Sequence, residues 1–232
     1  MSALRQILLY IQMFLAPKRI LINRMFFGAE VLLVIINFAI YGNAVAVYNS
    51  YFMEVYSIGG KLGEISLILY ILTLLPGMIT RLQWMPSVTT LVGSIITPFR
   101  RHLGILMFIT AWMHFSLTTS LPQLIANGFD TSKIELMLFQ WMGQIAWWLL
   151  MPLWLTSNDT SMKYLGKWWK RVHRLTYIAL FLIFFHVALQ QANWMYVLGI
   201  IIVLQVISWI RVVQRTRTAP VPAPTQTSTN PA

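Results

Sequence analysis

Apolar positions along this chain gather into long blocks, and polar positions are confined to the joints between them. Six blocks, at 25–47, 62–80, 102–121, 134–155, 173–191 and 194–213, are each near the roughly 20 residues that an α-helix needs to cross a bilayer. They predict an all-α membrane protein, a six-transmembrane-helix bundle over 18–213. Ahead of them Leu4, Ile7, Leu8, Ile11, Phe14 and Leu15 recur at helical spacing, with Arg5, Gln6 and Gln12 between. That pattern predicts an amphipathic helix over 1–17 lying in the cytoplasmic interface. A cleaved signal peptide is the competing reading, but no convincing small-residue cleavage site follows the apolar run. The stretch PSVTTLVGSIITPF spans only 14 residues and predicts a re-entrant or interfacial segment rather than a further span. The final TAPVPAPTQTSTNPA has nothing to bury, so 214–232 is expected to be a disordered cytoplasmic tail.

Composition agrees with this reading. Apolar residues make up 58% of the chain and charged residues 10%, far from the balance of a soluble domain. The formal charge of +11 would raise the question of nucleic acid in a soluble protein. Here the positive-inside rule accounts for it and no nucleic-acid partner is expected. Of the 17 Lys and Arg, 15 lie before the first block, in 81–101, in 157–174 and from Arg211 at the end of the sixth block into the tail, leaving Lys61 and Lys133 opposite. Both termini are therefore expected in the cytoplasm. Cysteine is absent, so thiol redox chemistry and thiolate metal sites are excluded, and any redox role belongs to a bound cofactor.

The four histidines fall in two blocks, His102 and His114 in the third, His173 and His186 in the fifth. These blocks share a direction through the membrane. At the helical rise, the two histidines of each block stand about 18 to 20 Å apart in depth. Two levels follow, each with one imidazole from each helix. Paired imidazoles at one depth suit a six-coordinate haem b between apolar helices, and two levels suit electron transfer across the membrane. Zinc fits less well, because the depth gap keeps one ion from all four rings. For His102 and His173, each beside an arginine, interfacial hydrogen bonding is the alternative. Helical rotation adds a warning. A spacing of 12 turns His102 about 120° away from His114, whereas Arg100, 14 before His114, is turned only about 40°. Arg100 is thus a second candidate for the inner level.

Other residues carry weaker signals. Arg101, Arg174, Lys170 and Arg171 suit either haem propionates or anionic lipid. Gly104 and Gly143 suit either a porphyrin near the backbone or close helix packing. Glu30 is expected to form an interfacial ion pair with Arg24. Trp147 and Trp148 suit a haem edge or an interface anchor, and GGKLG at Gly59 to Gly63 lacks the spacing of a dinucleotide-binding turn.

RRHLGILMFITAWMH, then WLTS, then GKWWKRVHRLTYIALFLIFFH resemble the ferric-reductase-like transmembrane domain. Within it they resemble the haem b membrane subunits of bacterial periplasmic methionine sulfoxide reductase systems, over roughly Leu62 to Gln190. The resemblance implies that His114, His173 and His186 bind haem iron. It leaves the remaining inner ligand open between His102, Arg100 and no protein group, because arginine stands where the wider family often has its inner histidine. It implies a multi-pass protein of the bacterial inner membrane holding one or two haem b groups. Electrons would come from a cytoplasmic flavin reductase carrying FMN or FAD, or from quinol, and pass to a periplasmic redox enzyme containing molybdenum. Two alternatives stand beside this: a ferric or oxygen reductase acting directly at the outer face, and a non-redox membrane protein with structural histidines.

Overall fold

The structure is a computed structural model and describes residues 3–83 and 86–218. It is helical almost throughout: α1 Ala3–Leu15, α2 Arg19–Gly42, α3 Ala44–Leu82, α4 Pro86–Ile96, α5 Arg100–Phe115, α6 Leu121–Ala126, α7 Leu138–Leu155, α8 Asp159–Leu165, α9 Lys167–Val172, α10 Leu175–Leu189 and α11 Trp194–Thr218. Among the described residues, five helical stretches are long and apolar enough to cross a membrane: Arg5–Gly42, Ala44–Leu82, Leu91–Ala126, Lys167–Leu189 and Trp194–Arg217. The fourth expected block is α7, whose glutamines and tryptophans dilute its apolar character, and which packs against α5 and α10.

Cross-helix contacts give the directions. Glu30, Phe38 and Tyr41 of α2 meet His102, Trp112 and Ser120 in that order, so α2 and α5 run together. Gly59 lies at His114 while Ser66 bonds the Met107 carbonyl at 2.9 Å, so α3 runs against α5. Phe139 lies at His186 and Thr156 at His173, so α7 runs against α10. Arg81 bonds Ser208 and Arg211 bonds the Leu82 carbonyl, which sets α11 alongside α3. The main core lies among α3, α5, α7, α10 and α11, around Leu67, Tyr70, Leu74, Phe108, Leu150 and Leu180. Lipid is as apolar as these side chains, so close packing and buried polar ties carry the association. Tyr70, fully buried, donates its hydroxyl to the Thr176 carbonyl and joins α3 to α10.

Helix α2 shows the inversion expected of a lipid-facing helix. Its buried residues are Glu30 and Asn37, while Phe27, Leu32, Ile35 and Phe38 face outward.

Several boundaries differ from the sequence reading. The first block ends at Gly42 rather than 47, and the chain re-enters a 39-residue helix bent at Tyr51. That helix exceeds one bilayer thickness, and its first turns pack Tyr48 and Val55 on Leu117 and Leu121. The interfacial segment contains helix α4, packed on α1 and α3. Residues 214–218, expected in the tail, continue α11, because Val212 and Val213 carry the apolar pattern onward; the tail from 219 lies outside the described residues.

Candidate functional site

The outer level forms around His114 and His186. Their ring centres are 6.3 Å apart, with ring planes at 80°. Both line one cavity of about 380 Å³ among α3, α5, α7 and α10, together with Gly63, Gly143, Met107 and Trp147. His114 donates from Nδ1 to the Gly59 carbonyl at 2.8 Å, and His186 from Nδ1 to the Phe139 carbonyl at 2.6 Å. A hydrogen bond from one ring nitrogen fixes the tautomer and leaves the other nitrogen as a ligand. His114 is the penultimate residue of α5, just before a π-helical turn at Ser116–Ser120. Such turns re-aim helix faces and recur at functional sites. The Leu117 carbonyl in this turn accepts from Tyr48 at 2.5 Å, which pins it to α3.

These residues fit an axially bound haem. A metal held by two imidazole nitrogens at about 2 Å each puts the ring centres about 6.3 Å apart, since each centre lies about 1.2 Å beyond its nitrogen. Among the described residues no three His, Asp or Glu side chains gather as a metal site. Two protein ligands suffice only where the cofactor supplies the remaining nitrogens itself. The buried indole N–H of Trp147 beside the cavity has no hydrogen-bond partner among the described residues.

An aromatic stack leads from the cavity toward the inner level. Phe108 lies between Trp147 and Trp154, at ring separations of 4.7 and 4.8 Å and near-parallel planes. Trp154 is two residues before Thr156, whose Oγ lies 3.3 Å from His173 Nε2. His173 stands in the joint between α9 and α10, its ring 4.0 Å from that of Trp169. The WKR-x-H segment reaches this joint through Gly166, whose positive φ of 48° breaks α8 from α9 in a conformation that favours glycine.

The structure does not bring His102 to His173. His102 Nδ1 lies 2.8 Å from Glu30 Oε1 and its ring stacks on Phe26, both in α2, because the 12-residue spacing rotates it off the face that carries His114. Glu30 is thereby paired with His102 rather than with the expected Arg24. Arg100, the other candidate on α5, is exposed. Arg101 is engaged by Asp159 at the surface, and Arg174 is exposed. A β-carbon at Gly104 would meet open space within 4 Å, whereas at Gly143 it would strike the His186 ring.

Sequence reasoning missed two features. Arg81 binds Ser208, Tyr177 and Gln205, a neutral cluster assembled from three helices without any linear pattern. Gly59 and Gly63 close α3 onto α5, and their G-x-x-x-G spacing was the available signal.

Residues 62–184 match the family model described as ferric reductase like transmembrane component. Curated proteins from Brucella ovis, Brucella canis and Brucella suis, each named protein-methionine-sulfoxide reductase heme-binding subunit MsrQ, are 36% identical over 104 residues, covering 45% of this chain and 47% of theirs. The alignment thus spans about half the length of these relatives. No solved structure matches.

Proposed function

Since the chain belongs to the ferric reductase like transmembrane component family, we propose that it is a haem b subunit carrying electrons through a bacterial inner membrane. The observation that carries this is the pairing of His114 and His186 across one cavity at a separation suited to two axial bonds. When bound, haem supplies a one-electron iron couple and its own equatorial nitrogens. His114 and His186 would hold the haem iron through Nε2, while the carbonyls of Gly59 and Phe139 keep the rings oriented. Leu67, Met107, Leu150 and Ile183 line the site and keep water out, which with the axial ligands sets the potential.

The inner level is proposed to hold a second haem on His173, with Arg100 on the facing helix in place of a second imidazole, and Arg174 open to a propionate or to lipid. The Trp147, Phe108 and Trp154 rings fill the space between the levels. The alternating directions of α2, α3, α5, α7, α10 and α11 support six crossings. With the charge asymmetry they support cytoplasmic termini and an interfacial α1. The 36% identical relatives carry a name that joins haem binding to methionine sulfoxide reduction. That name supports a methionine sulfoxide reductase as the acceptor; its periplasmic place, and a cytoplasmic flavin reductase or quinol as donor, are proposed from the sequence resemblance.

Protein purified from haem-replete cells should be coloured, with the sharp reduced bands of low-spin haem b. A colourless, folded preparation would overturn the proposal.

A further inference from the structure

His114 and His186 come from different helices, yet their seats are built alike. Each ring donates Nδ1–H to a carbonyl of a facing helix and lies against the glycine four residues on. The pairs are Gly59 with Gly63 in α3, and Phe139 with Gly143 in α7. In an α-helix such a carbonyl already accepts the N–H of the residue four further on. The imidazole therefore takes the second lone pair and must approach over the Cα of that same residue. A β-carbon there would stand 2.7 Å from His114 Nδ1 at Gly63, and 2.8 Å from His186 Nδ1 at Gly143. Those distances are well inside contact, and the atoms met belong to a ring nitrogen already tied to backbone.

We propose that Gly63 and Gly143 are positioning residues for the two axial histidines. They open the carbonyls of Gly59 and Phe139 to the imidazoles, fix the Nδ1–H tautomer in both rings, and leave Nε2 facing the metal. This rests on the haem reading above. The Gln190 amide lies 3.1 Å from His186 Nε2 and donates to it, which marks that nitrogen as unprotonated; iron would take the same lone pair in place of this bond. The other glycines of the region are built differently. Gly59 closes on Leu117 and Thr118 rather than on an imidazole, and Gly60 has open space within 4 Å.

The test compares Gly63→Ala and Gly143→Ala with Gly59→Ala and Gly60→Ala in the full-length chain. Haem per folded protein, reduced spectrum and midpoint potential are the readouts. Gly63→Ala and Gly143→Ala are expected to weaken haem binding about ten-fold or more, the usual effect of losing a partner behind a metal ligand. Any haem retained should have a raised potential, because an imidazole without its Nδ1–H bond is the less basic ligand. Gly60→Ala, at the cavity wall but away from both imidazoles, should leave the histidine tautomers as in the parent, and Gly59→Ala should lose stability without a shift in potential. Unchanged affinity and potential in both seat variants would overturn the proposal, as would equal haem loss in folded Gly59→Ala. Should Gly63→Ala fail to fold, Gly143→Ala, outside the Gly59–Gly63 contact, decides alone. Histidine nitrogen NMR shifts of haem-free protein give a separate readout: Nδ1–H in the parent, a mixture of tautomers in Gly143→Ala. A colourless parent would remove the haem reading while this readout still tests the seats.

Discussion

His102 Nδ1 lies 2.8 Å from Glu30 Oε1, which ties α5 to the one buried carboxylate of α2. Because it stacks on Phe26 of α2 and is not brought to His173, His102 is proposed to be a structural partner rather than an iron ligand. His102→Gln is therefore expected to keep the haem content and spectrum of the parent while lowering stability by about 1–3 kcal/mol, the usual cost of stranding a buried polar group. Thermal melts in detergent and a pyridine haemochrome assay check both halves. Loss of half the haem would return His102 to the ligand set.

His114→Ala and His186→Ala should each abolish the same low-spin signal, since one cofactor needs both rings. His173→Ala should spare that signal and alter a second one. Redox titration followed by absorbance separates the two, and full haem retention in both outer variants would contradict the assignment.

Tyr70 is fully buried and gives its hydroxyl to the Thr176 carbonyl, one turn from His173. Tyr70→Phe removes this bond and the longer one of 3.4 Å that the Thr176 hydroxyl donates to it, for a loss of about 0.5–1.5 kcal/mol. Tyr70→Ala also empties the space of the ring among Leu67, Leu74 and Leu180, for about 3–5 kcal/mol. Equal melts for the two variants would contradict this ranking.

Asp159 accepts from Arg101, and that hydrogen bond, with the adjacent positive charge, holds its carboxyl below the usual carboxylate range. A lowered value means that the pair contributes at neutral pH and is lost only as pH falls through the lowered value. Arg101→Gln should restore ordinary titration of Asp159, read by carboxyl carbon shifts. Because both side chains are well exposed, haem content and melting should change little.

Much of the architecture was legible because lipid imposes one periodicity and one length. Apolar blocks had to be helices, and lysines and arginines had to gather on one side. The pairing of His114 with His186 was legible for a related reason: a fixed rise per residue converts spacing into depth. Rotation also carried information, since the 12-residue spacing warned that His102 is turned away from the face of His114. The partner of His102 was not legible, because Glu30 lies 72 positions away and the contact depends on how α2 leans on α5.

The chain's own order of residues thus decided the helices, their alternation and the depth of each imidazole, all consequences of local geometry in an apolar solvent. Tertiary packing decided which imidazoles meet. Orientation about a helix axis has meaning only once a neighbour supplies a carbonyl, a bare Cα or a carboxylate at the right height. In sequence Gly143 suited a porphyrin or a packing contact and Gly63 was one glycine of GGKLG; only packing set an imidazole on each.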